Sequence, residues 1–198
     1  MTDVADVIDN LLIDKKLDVA RIDMPHFIAY QSSTVSLKLF LTLIKESKDL
    51  RFTILTDLFA ADFLNRPKRF EVLYNLLSLK LNKRVLIKVY AGEDETVPSV
   101  SQIFSAACWY EREAYDMYGI NFTDSHDTRR ILTDYGFEGF PLRKDFPLTG
   151  YVQVRYDNTL NKVINEPVKL EQEYREFDFA SHWKGPVYPL PGDEKAQK

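Results

Sequence analysis

The chain has 198 residues, 45% of them hydrophobic and 28% charged, with a formal net charge of -4. That length leaves room for one well-formed core with an appended tail rather than several domains, and the interspersed charges offer no basic stripe of the kind a nucleic-acid surface needs. A single cysteine excludes an internal disulfide and a thiolate cage for zinc or an iron-sulfur cluster, and His26, His126 and His182 lack the HxH or HExxH spacing of a metal site.

The N-terminal stretch MTDVADVIDNLLIDKK is acidic. It has neither the basic, Ser-rich character of an organelle import peptide nor the apolar core of a secretory signal, so the chain is expected to work where it is made. Within it, Val4, Val7, Ile8, Leu11 and Leu12 recur at helical spacing and predict a short amphipathic helix. Leu17 to Ile22 and His26 to Tyr30 read as short strands on either side of Met24-Pro25. Thr34 to Ser47 reads as a second helix, with Ser33 as its cap and Leu37, Phe40, Leu41 and Ile44 facing inward. The most apolar window, Leu37 to Ile44, contains Lys38 and ends at Lys45 and Glu46, far short of a membrane span. Membrane association is therefore expected only through partners.

Arg51 to Phe59 is rich in β-formers. Phe70, Val72, Tyr74 and Leu76 alternate with Glu71, Leu73 and Asn75, and Val85, Ile87 and Val89 alternate with Leu86, Lys88 and Tyr90 after a polar turn at Asn82-Lys83. These runs predict an antiparallel hairpin beside a third strand. The expected fold is α+β, a small antiparallel sheet with helices packed on one face, followed by a long extended C-terminal segment. Glu93-Asp94-Glu95 reads as a solvated loop.

Ser99-Val100-Ser101-Gln102 has the form of a capping box, which predicts a helix from there to Tyr118, ended by Gly119 in the left-handed conformation. At roughly 100° per residue its apolar stripe holds Val100, Ile103, Phe104, Ala107, Cys108, Ala114, Tyr115 and Tyr118, with Glu111 in the middle. Arg112 and Asp116 share another face as an i, i+4 pair. Glu111, Glu113 and Asp116 crowd the half of the helix where the macrodipole favours cations, and a carboxylate in an apolar stripe is costly unless paired. Arg129 and Arg130 are the nearest following cations, so one or both are expected to turn back onto Glu111 unless a partner chain supplies the cation.

After Gly119 the chain shows neither helical period nor sustained alternation before Val152, yet Ile131, Leu132, Tyr135, Phe137, Phe140, Leu142, Phe146 and Leu148 are too apolar to remain in water. Such a segment is expected to wrap a surface, its own or a partner's. The division expected is a core domain over residues 1–119 and an extended segment over 120–198. Within the latter, Tyr151 to Tyr156 and Lys162 to Ile164 predict a hairpin around Asp157-Asn158, Glu171 to Glu176 a helical turn, and Trp183 onward a Pro-rich extended tail.

Catalysis has little to draw on. Glu113 and Asp116, at i, i+3, are the one carboxylate pair that helical spacing brings together for acid-base or metal work, and Glu111 points roughly 160° from Glu113. There is no GxSxG elbow, no GxGxxG or GxxxxGK[ST] loop, and no His at helical spacing from Cys108. Spacing alone points to a binding or structural subunit. A carboxylate-pair hydrolase and a free-standing protein-binding module are the rival readings.

EREAYDMYGINF, followed by RRILTDYGFEGFPLRKDFPLTGYVQVRYD, closely resembles the 30 kDa subunit family of NADH:ubiquinone oxidoreductase, in its mitochondrial subunit 9 type. The close match runs from Trp109 to Asp157 and continues more loosely through NEPVKL and EFDF to Trp183. In place of the family's Asn-His-Pro run this chain has Asp124-Ser125-His126-Asp127, with His126 where Pro would stand, while Arg129 and Arg130 stay in register. Carried over position by position, Glu111, Arg112, Glu113, Asp116, Gly119, Arg129, Arg130, Asp134, Tyr135, Gly136, Gly139, Arg143, Asp145 and Pro147 fall on the family's motif positions. The resemblance assigns them to assembly and interface geometry and none to catalysis.

The resemblance further implies a subunit of the quinone-reducing module in the peripheral arm of respiratory complex I, carrying no cofactor itself while FMN and iron-sulfur clusters sit in partner subunits. It implies docking of the C-terminal segment on the 49-kDa-type subunit and its iron-sulfur neighbours, and a place on the matrix side of the mitochondrial inner membrane or, alternatively, on the cytoplasmic face of a bacterial inner membrane.

Overall fold

The computed structural model of the chain describes residues 4–25 and 27–170. His26, His182, the helical turn expected over Glu171 to Glu176 and the tail from Trp183 lie outside the described residues.

Apolar periods build the first half as expected. α1 (Val4–Lys15) leads into a hairpin of β1 (Val19–Met24) and β2 (Phe27–Ser32). α2 (Thr34–Glu46) starts at Ser33, whose hydroxyl accepts the Ser36 amide, and buries Leu37, Phe40, Leu41 and Ile44 on one stripe. β3 (Ile54–Asp62), β4 (Phe70–Ser78) and β5 (Lys83–Ala91) form an antiparallel meander. Their inward rows, among them Phe70, Val72, Tyr74 and Leu76, join α1, α2 and the later helix in one continuous core. Each such fully buried side chain contributes about 1.5–3 kcal/mol of hydrophobic stabilisation. The opposite sheet face carries Glu71, which pairs with Lys88 at 2.9 Å and Arg66 at 3.2 Å, and the exposed Phe27 and Phe59.

The α+β class is therefore as expected, but the sheet is mixed rather than wholly antiparallel. Its strand order is β1-β2-β5-β4-β3, and β2 runs parallel to β5, with Ile28 opposite Val85 and Ser32 opposite Val89. A hairpin announces itself through its turn, whereas this pairing joins strands separated by a helix and a meander. Only packing of α2 across the sheet brings them together.

The third helix begins later than the capping box predicts. Val97–Pro98 (β6) pairs in parallel with Phe122–Thr123 (β7), the carbonyl of Val100 accepts the amides of Ile103 and Phe104 in a tight turn, and α3 runs only over Ala107–Tyr118. The reason is a competing partner. Ser99 Oγ donates to the Glu111 carboxylate, which also accepts the Val100 amide, so the Ser side chain expected to cap a helix is committed to a residue one turn inside α3. At the other end Gly119 does close the helix, with φ +75° and its amide donating to Tyr115 O.

The chain divides into compact units after Gly150, not after Gly119: one is Met1–Gly150 and the other begins at Tyr151. The irregular segment 120–150 thus belongs with the first unit, for reasons that lie in the side chains of α3. In the second unit β8 (Val152–Asp157) pairs antiparallel with β9 (Lys162–Pro167), the hairpin expected from sequence. Val152, Val154, Tyr156 and Val163 on this hairpin are all more than half exposed.

Candidate functional site

α3 lies against β3 and turns three charged residues, Glu111, Arg112 and Asp116, into the protein, each less than a tenth exposed. Such burial demands partners, and the structure supplies a different one for each.

Glu111 is not paired with Arg129 or Arg130. Its carboxylate accepts Ser99 Oγ and the Val100 amide, both at 2.7 Å. Burial pushes its pKa above the usual carboxylate range, with the bonds from Ser99 and Val100 opposing the shift. Glu111→Gln, whose amide oxygen still accepts the Val100 amide, is expected to leave stability at pH 7 within about 1 kcal/mol, whereas Glu111→Ala orphans the buried Val100 amide and leaves the Ser99 hydroxyl only Ser101 Oγ, at 2.9 Å, at a cost of about 1–3 kcal/mol. Because the folded pKa is raised, the contribution of Glu111 is fully present below its unfolded value and is lost as pH rises through the folded value. Urea titrations of the two variants at several pH values check both expectations, and a Gln variant as damaged as the Ala variant would contradict them.

Asp116 takes the cation expected for Glu111. Its fully buried carboxylate accepts Arg130 Nη1 at 2.8 Å, the amides of Ile131, Leu132 and Thr133 at 3.0, 2.7 and 2.9 Å, and the Thr133 hydroxyl. Burial alone would raise its pKa, but the Thr133, Leu132 and Arg130 bonds together hold it well below the usual carboxylate range. Arg112 does not pair with Asp116 along the helix as the i, i+4 spacing suggests. It donates instead to the carbonyls of Arg129 at 2.9 Å and Arg130 at 3.1 Å and reaches Asp127 at 3.4 Å. Two positions one turn apart on α3 thus fasten the backbone of residues 129–133. Arg129 itself is exposed and closes a local pair with Asp127 at 2.7 Å.

Beyond this loop the segment is held by arginines over aromatic rings. Arg130 donates to Gly139 O at 3.0 Å and lies over Phe137 and Phe140. Arg143 donates to Tyr118 O and to Glu93, each at 2.6 Å, and lies over Phe140 and Phe70. Glu93 is therefore more than the solvated loop residue expected. Phe140 packs edge-on against Tyr115 and fills the space above Gly119, where a Cβ would stand 2.6 Å from its ring and 2.7 Å from Arg143 Nη2. Gly119→Ala is expected to cost about 2 kcal/mol or more, from left-handed strain plus displacement of Phe140. Gly136→Ala has open space at φ +78° and so carries the strain alone. Thermal melts of the two variants should separate them, and equal losses would show that the Phe140 contact contributes nothing.

Asp145 leads to the most tightly fastened point. Arg69, 6% exposed, donates to Asp62 through Nε at 2.7 Å and Nη2 at 2.9 Å, and to Asp145 through Nη2 at 2.8 Å. The Lys144 amide adds a bond to Asp62 at 2.8 Å. Neither Asp62 nor Arg69 stands out among motif candidates in the sequence. The available signal is parity: Asp62 continues the inward row of Leu58 and Ala60, so it is an acid aimed at the core and in need of a cation.

The remaining motif residues face outward. Glu113, Asp134, Tyr135, Gly136 and Gly139 are exposed, and Pro147 is half-buried. The Glu113/Asp116 carboxylate pair does not form, because Asp116 is buried and saturated while Glu113 points to solvent. Among the described residues no three His, Cys, Asp or Glu side chains converge on a metal position, and no helix is long and apolar enough to cross a membrane. His126, in the place of the family's Pro, is exposed two residues after Asp124, which adopts φ +62°.

The arrangement is therefore a set of clamps that hold an aromatic segment on an α+β unit. Residues 31–152 match the family model described as the respiratory-chain NADH dehydrogenase 30 Kd subunit. A subunit of the NADH-quinone oxidoreductase of Rickettsia felis is 62% identical over 190 residues, covering 96% of this chain and 92% of that protein. Its counterpart from Sinorhizobium medicae is 56% identical over 162 residues, covering 82% and 81%. A chain in the membrane-bound sulfane sulfur reductase, an archaeal respiratory membrane complex, has the same fold, with a TM-score of 0.63 at 23% identity over 74% of this chain and 87% of that one. The family match spans the clamps as well as most of the core, and the chain belongs to the 30 kDa subunit family of respiratory-chain NADH dehydrogenases.

Proposed function

We propose that the chain is a non-catalytic subunit in the peripheral arm of a proton-pumping NADH-quinone oxidoreductase. There it fixes its neighbours so that electrons pass from the last iron-sulfur cluster to quinone. The observation that carries this reading is the exposed apolar surface on a firmly clamped segment. Leu132, Tyr135 and Leu148 are 63%, 106% and 86% exposed although the backbone on either side of them is fastened to α3 and to Asp62. A segment held this firmly while presenting large apolar side chains is built to be covered by another surface. The β8–β9 hairpin supports the same reading, since a two-stranded hairpin is marginal in water by itself and, among the described residues, its Val152, Val154, Tyr156 and Val163 are more than half exposed.

The partners are the large 49-kDa-type subunit and its iron-sulfur neighbours. FMN and iron-sulfur clusters reside in partner subunits, and this chain holds none. The bacterial origin of the relatives named above favours the cytoplasmic face of a bacterial inner membrane over the mitochondrial matrix side. Membrane attachment is through the complex. The burial of Asp116 weighs against a carboxylate-pair hydrolase, and the uncovered Leu132, Tyr135 and Leu148 weigh against a free-standing module.

Mild-detergent purification from membranes through a tag on the C-terminus, followed by mass spectrometry and an NADH:quinone assay, tests the proposal. Recovery with a flavin- and iron-sulfur-bearing assembly is expected. Recovery of the chain alone, at full yield, would overturn it.

A further inference from the structure

Tyr74 stands mid-way along β4, opposite Leu58 of β3 and Ile87 of β5, and is fully buried. Its ring belongs to the core, but among the described residues its hydroxyl is the one buried side-chain oxygen or nitrogen without a hydrogen bond. Proteins rarely bury a phenol in that state, because an O–H taken from water without a replacement bond forfeits its hydration. Tyr30, the other fully buried tyrosine, gives its proton to Asp9 at 2.8 Å. Tyr74 cannot swing to find such a partner, since close packing holds its ring.

Glu111 enters the same core from α3, one turn from Ala107 and one from Ala114, both members of the cluster that holds Tyr74. Its charge reaches the phenol. Burial first and then Glu111 push the Tyr74 pKa well above its ordinary value, so the hydroxyl keeps its proton and remains a donor. The carboxylate in turn has acceptor capacity to spare: its oxygens offer about four lone-pair positions, and the Val100 amide and the Ser99 hydroxyl use one on each oxygen. A buried donor and a buried acceptor thus share one core, yet no direct bond joins them.

The group that completes both must be small, must accept from the phenol and must donate to the carboxylate. Water does all three. A metal ion fits less well, since the phenol keeps its proton and, among the described residues, no three ligating side chains converge there. Lys38, whose charge also acts on Glu111, is tied to Asp124 at 3.0 Å.

We propose that one buried water molecule binds between Tyr74 and Glu111, accepting the Tyr74 hydroxyl proton and donating to the Glu111 carboxylate, and so joins the middle strand of the meander to α3. The bridge gives Glu111 a third partner beside Ser99 and Val100. It lies inside this chain and stands whether or not the subunit reading does.

The first test is a density map of the full-length chain, alone or in its assembly, at a resolution that shows ordered water. The expected feature is a single peak within about 3.2 Å of both Tyr74 Oη and a Glu111 carboxylate oxygen. A direct Tyr74–Glu111 bond, a larger bound group, or a Tyr74 Oη with no peak beside it would overturn the proposal. Thermal melts give an independent reading. Removing an orphaned hydroxyl relieves the fold, whereas removing a bridged one breaks a network, so Tyr74→Phe should lower Tm by about 2–4 °C. Glu111→Gln keeps polar atoms at the site and should preserve that loss. Glu111→Leu removes the far anchor, so Tyr74→Phe added to it should leave Tm unchanged or raise it. A Tm for Tyr74→Phe at or above the native value, or an equal loss in the Leu background, would overturn the bridge. The map and the single variant decide the matter even if Glu111→Leu fails to fold.

Discussion

Replacement of Asp116 by alanine is expected to release residues 129–146 from α3 and to cost about 3–5 kcal/mol, the range for breaking a buried charge pair. One carboxylate holds Arg130, three consecutive backbone amides and the Thr133 hydroxyl. Its loss therefore removes an anion-binding loop rather than a single bond. The freed amides lie near the surface and regain water, which places the stability loss toward the lower end of that range, while Arg130 loses its anchor beneath Phe137 and Phe140. Urea denaturation should show the loss, and hydrogen exchange should quicken over 130–140 before it does so in β4 or β5. Unchanged exchange over that segment would mean that the aromatic contacts hold it without Asp116. Arg130→Ala should reproduce part of the effect. Arg129→Ala should leave stability essentially unchanged, because Arg129 is exposed and bonded only to Asp127 among the acids.

Arg69→Ala is expected to be comparably damaging at neutral pH, about 3–5 kcal/mol, and, as for Asp116, whose carboxyl is likewise held low, its effect should shrink as pH falls. Removing the guanidinium leaves the Asp62 side chain fully buried with only the Lys144 amide as a donor, and cuts Asp145 loose from the unit. In the native protein the hydrogen bond from Arg69 is the largest influence on Asp62. It prevails over burial and, with the Lys144 bond, holds the carboxyl below its ordinary value. A depressed folded pKa contributes stability that is present above the unfolded value and lost as pH falls through the folded one. Native stability should thus decline on acidification below about pH 4. In Arg69→Ala burial acts on Asp62 unopposed by a cation, its pKa rises, and the difference between variant and native protein should shrink as pH falls. Urea midpoints between about pH 3 and pH 8 test this. A constant difference across that range would mean that Arg69 contributes by packing on Phe70 rather than by charge.

The two positions show where reading residues along the chain succeeds. α2 could be placed from its apolar period and Ser33, and α3 ended at Gly119, because both signals act within one or two helical turns. The meander and the β8–β9 hairpin follow from alternation and turn chemistry, again over short separations. The need for compensation of buried acids on α3 was equally legible, since it follows from the cost of burying charge, but of the three acids only Glu111 and Asp116 are buried and receive it, whereas Glu113 is exposed.

Which group compensates which acid was not legible. Arg130 stands 14 residues from Asp116, and Arg69 stands 76 residues from Asp145. Periodicity assigns a side chain to a face but not to a partner on another element. The parallel β2–β5 pairing is hidden for the same reason, and so is the late start of α3, where Ser99 and Val100 serve Glu111 instead of a helix end. The sequence by itself determined the α+β class, the main helices and hairpins, the acids that must be neutralised and the family motif, because each depends on local conformational preference or on the order of residues. Tertiary structure alone decided the mixed sheet, the fastening of residues 120–150 to the first unit and the identity of every buried charge partner. Those depend on which distant atoms close packing brings within hydrogen-bond reach.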